Sequence, residues 1–566
     1  MNRTLLLGAA LLVAGSAMAE WGTSAGQPTA LFPSGTTSYA TELKAASDGS
    51  VWAMIYHPNL ADAEDEFDTS HVVYEFRLQR FDSDGNPTFP EEGILLSDYA
   101  NWSYTVVTDY LLADSEGNAV VAVPDCRNSP GSEKSVTVYK VSPEGEMLWG
   151  EEGKALSDPM NPADLTTCIR MVELEDGSYV FAWCEFHNNV PTVCLQRMSR
   201  DGKTLWEGAA TGTGSDYAQY PYLVNSGDNT CILVYAATAS QVLYARKLDF
   251  EGESVWGKDV RIYRGGWGSI PMHTLVNVRP SGNGGVLVAW SDDRANTQVE
   301  SAYISYVTPD GKLGFAGVSD EGDCKLCYDG WRCFNVDVVP AGDGSAFYAV
   351  WRRTDNPQRM QGVKMQKVSL EGELLWGDDA KELCPTDFYS TGYISLQPDD
   401  DNGACCFYEI YREYYDQQCF AARFDSEGEL VWPDASVALS APARKASSLK
   451  SQPYGENAWL CNWDDGGTLE DKSTTYVMAL LYDDGCLGKP GTGLADVTAE
   501  SGALSYRAGT LYADVADGCK AVVYTPTGVK AAEGVFKGGS AAVRLRPGLY
   551  MAAAEGCATI KFVVEQ

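Results

Sequence analysis

Acidic and basic residues recur two positions apart in several segments of this sequence. The pairs are Asp125 with Arg127, Glu185 with His187, and Asp292 with Arg294. The last two repeats have only part of the pattern, a base at Arg412 and acids at Asp464 and Asp465. A carboxylate and a cation at this spacing can form an ion pair that holds a loop, or can present charged groups to a ligand. Both interpretations stay open from the sequence alone.

Aromatic residues are frequent in the same connecting parts of the chain. The set comprises Tyr99, Trp102, Tyr104, Tyr217, Tyr220, Tyr222, Trp267, Tyr328, Trp331, Tyr389 and Tyr393. Aromatic faces pack against the C–H faces of sugar rings, while carboxylates and guanidinium groups bind hydroxyls. This combination favours a glycan-binding surface, with packing at the rim of the fold as the alternative. The candidate ligand-binding residues are Tyr99, Trp102, Tyr217, Trp267, Trp331, Asp125, Arg127, Asp292, Arg294 and Arg412.

The elements that must position these residues form an internal repeat. Segments such as FDSDGNPTF, VSPEGEMLW and MSRDGKTLW recur eight times, at spacings of 50 to 61 residues, and each contains a turn glycine. These glycines are Gly85, Gly145, Gly202, Gly252, Gly311, Gly372, Gly428 and Gly485. Asp-Gly or Glu-Gly between alternating apolar segments indicates a β-hairpin.

Another hairpin precedes each of these copies, so in chain order it is the first hairpin of the repeat and the copy itself is the second. Its glycines are Gly49, Gly117, Gly177, Gly227, Gly284, Gly344, Gly403 and Gly455. Four short strands per repeat, eight repeats and no helical segment between them predict an all-β fold, an eight-bladed β-propeller over residues 20–494. The loops between strands two and three and the loops between blades then share one face.

The ends of the repeat predict how the ring closes. The eighth copy stops at CLGKPG without its aromatic strand, whereas Glu20-Trp21-Gly22 resembles the Leu148-Trp149-Gly150 of an earlier copy. We therefore expect the N-terminal strand to complete blade eight, because an open blade would leave an unpaired edge. Tryptophans at the end of each copy should pack between blades: Trp21, Trp149, Trp206, Trp256, Trp376 and Trp432.

The first 19 residues read as a secretory signal. Arg3 precedes an apolar stretch, and Ala17-Met18-Ala19 is a small-x-small cleavage pattern. The apolar stretch is shorter than the roughly 20 residues of a membrane-spanning helix, so no transmembrane segment is expected. We expect a secreted or cell-surface protein, with the periplasm as the alternative.

Net charge and cysteine content limit which partners, cross-links and metal sites the chain can have. The formal net charge of the 566 residues is −36, which argues against binding to nucleic acid. Sixteen cysteines in an exported chain permit disulfides. Local pairing is suggested for Cys184 with Cys194 and for Cys406 with Cys419, which flank hairpin loops, and among Cys324, Cys327 and Cys333, which lie in one loop; free buried thiols are the alternative. Four zinc ligands at the usual spacing are not visible, and no metal or cofactor is expected.

Two family resemblances extend this interpretation. Ser199-Arg200-Asp201-Gly202-Lys203-Thr204-Leu205-Trp206 resembles the Asp-box hairpin of sialidases and other propellers, although it lacks one spacer residue. An apolar strand ending in Trp290-Ser291-Asp292-Asp293-Arg294, followed by a downstream G-x-x-x-W hairpin, resembles propeller repeats of exported proteins in Gram-negative bacteria that use type IX secretion. The Val-Tyr-Thr-Pro-Thr-Gly at 523–528, the Pro-Gly-Leu-Tyr at 547–550 and the apolar end of the chain resemble the sorting domain of that system. The resemblance implies a small Ig-like β-sandwich at 495–566 that contacts the secretion machinery; a plain accessory sandwich is the alternative.

These observations favour a noncatalytic binding protein. Gly-x-Ser-x-Gly, His-Glu-x-x-His, a phosphate-binding Gly-rich loop and the Phe-Arg-Ile-Pro-like start of sialidases do not occur in the sequence. The expected ligand is a glycan or an extracellular protein. A propeller-based glycoside hydrolase or lyase remains the alternative, because two carboxylates can meet from separate loops. A protein-interaction platform is the third possibility, and catalytic residues are not identified.

Overall fold

The computed structural model is all-β, and the part of the chain it describes contains no helix. The described residues are 21–31, 39–59, 73–90, 92–98, 110–125, 127, 135–159, 165–187, 190–206, 210–211, 217–237, 242–264, 276–295, 297–472, 474–488, 504–507, 510–513, 518–525, 530–545, 548–554 and 560–564. The predicted signal at 1–19 lies outside them. Within these residues no helix long and apolar enough to cross a membrane is found. The chain divides into two compact units, Met1–Asp483 and Asp484–Gln566.

The described strands of the first unit form eight four-stranded antiparallel sheets, numbered along the chain. Sheet 1 contains β2 (Tyr39–Ala45), β3 (Val51–Asn59), β4 (Val73–Phe81) and β5 (Ile94–Ser97), and sheet 2 contains β6 (Tyr110–Ala113), β7 (Ala119–Asp125), β8 (Ser135–Val141) and β9 (Lys154–Ala155). Sheet 3 contains β10 (Leu165–Glu173), β11 (Tyr179–His187), β12 (Val190–Met198) and β13 (Ala210–Thr211). Sheet 4 contains β14 (Ala218–Gly227), β15 (Thr230–Ala237), β16 (Val242–Leu248) and β17 (Val260–Arg264).

Sheets 5 to 7 repeat this order, and sheet 8 takes its fourth strand from the beginning of the chain. Sheet 5 contains β18 (Asn277–Pro280), β19 (Val286–Asp292), β20 (Ser301–Val307) and β21 (Asp323–Lys325), and sheet 6 contains β22 (Arg332–Pro340), β23 (Ala346–Thr354), β24 (Gln361–Ser369) and β25 (Lys381–Asp387). Sheet 7 contains β26 (Ser390–Pro398), β27 (Ala404–Glu413), β28 (Asp416–Phe424) and β29 (Val437–Ala438). Sheet 8 contains β30 (Ala446–Pro453), β31 (Ala458–Asp465), β32 (Thr475–Tyr482) and β1 (Thr29–Ala30).

The first strands of neighbouring sheets contact one another in chain order, and β30 contacts β2, so the contacts return to their start. Each apolar core lies between two adjacent sheets. The core between sheets 8 and 1, for example, combines Leu43 and Val51 with Leu460 and Met478. This propeller-like arrangement follows from strands that are apolar on both faces, since each sheet is covered by a neighbour on either side.

The N-terminal strand pairs with sheet 8, as the sequence predicts. Thr29 lies opposite Met478, and Ala30 lies opposite Val477. Gln452 of sheet 8 also accepts from the backbone N–H of Ala45 at 3.1 Å and donates to the carbonyl of Leu43 at 2.7 Å. The beginning and the end of the repeat are therefore joined by backbone pairing and by side-chain hydrogen bonds.

The turn glycines and tryptophans form one recurring contact. All eight turn glycines of the second hairpins have positive φ. At Gly202, with φ of 78°, an added Cβ would lie 2.7 Å from the ring of Trp149, so the turn needs glycine for both its conformation and its space. The Trp149 Nε1 donates to the carbonyl of Arg200 in the same turn at 3.1 Å. The tryptophan at the end of one copy thus packs on the hairpin of the next sheet.

One first-hairpin turn differs from the sequence prediction. Gly403 does not take positive φ; the preceding Asn402 does, with φ of 65°. Asparagine tolerates this region better than most residues because its side chain hydrogen-bonds locally. Here its side-chain amide donates to Asp343 at 2.9 Å, and its side-chain oxygen accepts from the backbone N–H of Asp343 at 3.1 Å.

Two of the suggested cysteine pairs are wrong because of strand register. Cys184 lies opposite Val193, and Cys194 lies opposite Trp183. Alternation along the strands then places the two sulfurs on opposite faces of sheet 3. In sheet 7, Cys406 lies opposite Ala422 and Cys419 lies opposite Glu409, so these two cysteines are also on opposite faces. Both thiols are fully buried.

The second unit contains two antiparallel sheets around one small core. Its strands are β33 (Ser505–Arg507), β34 (Thr510–Tyr512), β35 (Lys520–Tyr524), β36 (Lys530–Val535), β37 (Ser540–Ala542), β38 (Gly548–Ala554) and β39 (Ile560–Val564). The order is β33-β34-β37 in one sheet and β36-β35-β38-β39 in the other. Leu511, Val523 and Phe536 are fully buried in the core that they share.

Candidate binding sites

Three predicted site residues, Asp292, Arg294 and Trp331, line one pocket of about 330 Å³. We call it the loop pocket. Its walls are the loop between β19 and β20 and the segment between β21 and β22. A loop between strands two and three and a connection between sheets therefore meet here, as the predicted strand order requires. The volume lies at the lower end of the range for small-molecule pockets, roughly 300–1,000 Å³.

Arg294 is held in a fixed position at the centre of the loop pocket. Its guanidinium pairs with Asp292 at 2.8 Å and with Asp323 at 2.7 Å, and both carboxylates are buried. It also lies over the ring of Tyr303, 3.8 Å from the centroid. Burial alone would lower the pKa of Arg294, but the two carboxylates raise it above its usual value. The side chain is thus a permanently charged, oriented donor.

Asp293 fixes the loop itself. One carboxylate oxygen accepts from the backbone N–H of Thr297 at 2.8 Å, and the other accepts from the backbone N–H of Gln298 at 2.6 Å. Gln298 has φ of 62°, a conformation that needs such support. The carboxylate of Asp293 therefore fixes the backbone of Thr297 and Gln298.

The opposite wall of the pocket is aromatic. Tyr328 is 57% exposed, and Lys325 lies 5.1 Å from its ring centroid. Trp331 is half-buried, with Arg353 at 4.0 Å from its ring centroid and Asp329 paired to Arg353 at 3.0 Å. The cation on one face holds the indole in place. Aromatic surface and cationic groups thus meet at one opening.

Two cysteines anchor the segment that carries this wall. The Sγ atoms of Cys327 and Cys333 lie 2.7 Å apart. The hydrogen bond from Cys333 lowers the pKa of the Cys327 thiol, while burial raises the pKa of Cys333. Of the cysteine groupings expected from the sequence, this loop is the one in which two sulfurs meet.

The other predicted site residues do not line the loop pocket. Arg127 donates to the carbonyl of Glu152 at 2.5 Å and to the Tyr139 hydroxyl at 2.8 Å, within sheet 2. Arg412 donates to Gln418 at 3.3 Å within sheet 7, and Tyr217 is 41% exposed at the start of sheet 4. The side chain of Asp125 and all of Tyr99, Trp102 and Trp267 lie outside the described residues, so their predicted roles stay predictions.

A larger cavity of about 800 Å³ lies among the first strands of the sheets. We call it the central cavity. Its lining is rich in charged and polar side chains, among them Glu42, Lys44, Arg170, Arg279, Glu409 and Lys450. Lys44 pairs with Glu42 at 2.9 Å, and Arg279 pairs with the buried Asp337 at 2.7 Å. Opposite charges are therefore paired around the cavity.

Glu409 of the central cavity is the most deeply buried carboxylate of this lining, with 1% exposure. Its oxygens accept from the backbone N–H of Leu449 at 2.7 Å, from the backbone N–H of Tyr393 at 3.0 Å and from the Tyr411 hydroxyl. Burial nevertheless raises the pKa of Glu409 above its usual value. The carboxylate therefore links the first strands of sheets 7 and 8 at their β-bulges, the points where the register of each strand shifts.

Sequence reasoning did not identify the central cavity as a site. A signal was available, because Lys44, Arg279 and Lys450 each lie five positions before a first-hairpin glycine. These positions fall on the strands that line the cavity. The bulges that turn backbone N–H groups towards Glu409 had no such signal, since Ser448 with φ of 62° is not a residue that marks left-handed backbone.

No family model matches the sequence, and neither does any curated protein. Similar solved structures include the polysaccharide lyase Uly1, at 10% identity over 82% of this chain and 92% of that one, with a TM-score of 0.40. Prolyl oligopeptidase B from Galerina marginata aligns at 11% identity over 75% of this chain and 55% of its own, with a TM-score of 0.38. The GH93 α-L-arabinofuranosidase of Fusarium graminearum aligns at 12% identity over 56% and 93%, with a TM-score of 0.33. Likenesses of this size assign no family and no activity.

Proposed function

We propose that the protein is a noncatalytic binding protein and that its loop pocket holds a glycan. The observation that carries the proposal is the position of exposed Tyr328 and half-buried Trp331 beside the fixed guanidinium of Arg294. Aromatic rings offer a surface for the C–H face of a sugar, and the guanidinium and Lys325 offer donors for hydroxyl or carboxylate oxygens. The hydrogen bonds of Asp293 preform the loop.

Binding is favoured over catalysis at this pocket. Glycosidases use a carboxylic acid and a carboxylate that are available to the substrate. Asp292 is tied to Arg294 and to the Trp290 indole, and Asp293 is tied to backbone N–H groups, so both serve the loop. In the central cavity the buried Glu409 is tied in the same way, to the backbone N–H groups of Leu449 and Tyr393, so a hydrolase or lyase remains the alternative without an identified catalytic pair.

The fold and the location belong to the same proposal. We propose an eight-bladed β-propeller that β1 closes, followed by a small Ig-like sandwich that contacts type IX secretion machinery, in a secreted or cell-surface protein. The closed order of contacts between the eight sheets and the two-sheet second unit support it. The export route is tested by locating the intact chain and a chain lacking 495–566, which keeps the last hairpin turn of sheet 8, in a host with and without that machinery. Equal export of both chains would contradict the sorting role.

The ligand is tested by a glycan array with the purified chain. Tyr328→Ala and Trp331→Ala are compared with Tyr512→Ala, which removes an exposed tyrosine from the second unit. We expect binding to one glycan class to fall at least about tenfold in the two pocket variants, because aromatic anchors commonly contribute more than about 1.4 kcal/mol. The Tyr512 variant should bind like the parent. Trp102→Ala and Trp267→Ala test the two predicted tryptophans outside the described residues.

Other outcomes of the array separate the alternatives. Binding that Arg279→Ala abolishes, while Trp331→Ala leaves it intact, would place the ligand in the central cavity. Release of shorter products from the bound glycan would establish an enzyme. The absence of binding across all glycans, with a folded chain, would move the proposal to an extracellular protein ligand.

A further inference from the structure

Three potential metal ligands lie close together near the end of the β11–β12 hairpin at which the two strands are connected. Glu185 and His187 are two residues apart on β11, and Cys194 lies opposite Trp183 on β12. Alternation along antiparallel strands puts all three side chains on one face of sheet 3. Their ligand atoms lie within 4.8 Å of one another. Ligands of a tetrahedral zinc ion are roughly 3.3–3.8 Å apart, given Zn–S and Zn–N bonds of about 2.3 and 2.1 Å.

The environment suits a cation. Glu185 is 7% exposed and Cys194 is 2% exposed, so a carboxylate and a sulfur share a nearly dry site. One oxygen of Glu185 accepts from the Trp183 indole at 2.6 Å, and the other lies 2.9 Å from Nε2 of His187. The indole fixes the carboxylate in the way that outer-shell donors orient metal ligands. His187 is exposed, which leaves a route to solvent.

We propose that Glu185, His187 and Cys194 form a binding site for a divalent transition-metal ion of the zinc class. One carboxylate oxygen, one imidazole nitrogen and one thiolate are ligands that Zn²⁺ accepts, and three protein ligands leave one position for water or another ligand. On binding, the Cys194 thiol loses its proton to solvent. The competing explanation is a simple ion pair between a protonated His187 and Glu185, with Cys194 as a buried thiol.

The sequence did not reveal this site because its ligands are set by register. Glu185 and His187 were identified only as an acid–base pair, and local pairing with Cys184 was suggested for Cys194. The strand pairing turns Cys194 away from Cys184 and towards the side of Trp183. The assignment is independent of the proposed glycan binding, since none of these residues lines the loop pocket.

Metal binding is tested with the chelator-treated full chain and Co²⁺, followed by competition with Zn²⁺. We expect one equivalent of Co²⁺ with a near-ultraviolet thiolate-to-cobalt band that Zn²⁺ removes. His187→Asn should lose the tight binding without unfolding, because His187 is exposed. Cys194→Ser should lose the thiolate band. Trp183→Phe keeps the ring and removes the hydrogen bond, so its affinity should fall about 10- to 100-fold.

Cys461→Ser is the matched control, because it removes a buried cysteine from sheet 8 and should leave the cobalt band unchanged. The proposal is overturned if the parent chain shows no thiolate band with excess Co²⁺. It is also overturned if His187→Asn binds Co²⁺ as tightly as the parent. If Cys194→Ser does not fold, the His187 and Trp183 variants still decide the result.

Discussion

The indole Nε1 of Trp21 donates a hydrogen bond to the carbonyl oxygen of Ser83 at 2.8 Å. Trp149, Trp206 and Trp256 make the same bond to the second-hairpin turn of the next sheet, at 3.0 to 3.1 Å. Trp21 therefore occupies the place that a tryptophan at the end of the eighth copy would fill. It packs between sheets 8 and 1 against the edge of Tyr454.

Removing this indole should open the contact between sheets 8 and 1. We expect Trp21→Ala to lower the free energy of unfolding by about 3–5 kcal/mol, the usual cost of deleting a buried tryptophan. Trp149→Ala, at the equivalent position inside the repeat, is the matched variant and should cost a similar amount. Both are measured by urea unfolding. Deletion of residues 20–30 should destabilise at least as strongly, and an unchanged unfolding curve would refute closure by the N-terminal strand.

Asp114 and Lys140 form an ion pair at 3.0 Å that is almost fully buried in sheet 2. Burial would raise the pKa of Asp114, but hydrogen bonds from Asn118, Tyr179 and Lys140 lower it below 3.8. We expect Asp114→Asn to destabilise the protein by about 3 kcal/mol, because it removes the nearer of the two carboxylates that face the buried ammonium group and leaves only Glu116, at 3.6 Å.

The matched control for this pair is Asp201→Asn, which breaks an exposed pair with Lys203. It should leave the unfolding midpoint unchanged. The sign of the pH dependence follows from the lowered pKa of Asp114: its stabilising contribution is present above about pH 4 and is lost as the pH falls below 3.8. Equal effects of the two substitutions would show that Lys140 finds another partner or water.

Glu409 should have the opposite pH dependence. Because the pKa of Glu409 is raised in the folded protein, its contribution to stability is fully present below pH 4.5 and falls as the pH rises through the folded pKa. Glu409→Gln removes this titration. The difference in unfolding free energy between the parent and the variant should therefore shift in favour of the variant from pH 4 to pH 7. A difference that is constant with pH would show that Glu409 has the same pKa in the folded and in the unfolded chain.

Local chemistry made the repeat predictable. Gly202, Trp149 and the turn between them can be recognised in sequence, because positive φ and an indole over a turn each demand a particular residue. The pairing of the N-terminal strand with sheet 8 was predictable for the same reason, since Trp21-Gly22 repeats Trp149-Gly150. The loop pocket was predictable in part, because strand order puts the loop of Asp292 near the segment of Trp331.

Register and bulges were not predictable in the same way. A shift of one residue moves a side chain to the other face, so Cys184 and Cys194 appeared to be partners although they face different cores. The first strands of six sheets contain register shifts in their described residues, at positions that include Tyr220, Asn335 and Ser448. Tertiary contacts such as that of Glu409 with Leu449 support these bulges, and no local sequence pattern encodes them.

Cys327 and Cys333 should form a disulfide when the chain is exported and meets a disulfide-bearing oxidant. Attack of the Cys327 thiolate on the oxidant gives a mixed disulfide, and Cys333 then displaces the reduced carrier thiol. Closing this short loop should stabilise the fold by about 2 kcal/mol and restrain Tyr328 and Trp331.

Peptide mapping after treatment with glutathione disulfide tests this pair. Trypsin cleaves after Lys325 and Arg332, so the bond would join the peptide 326–332 to the peptide 333–352, while Cys324 lies in 313–325. We expect the first pair to be linked in the oxidised chain, separated by reductant and absent in Cys333→Ser. Linkage of 313–325 to either peptide would assign the bond to Cys324, and the aromatic wall would then lack its proposed restraint.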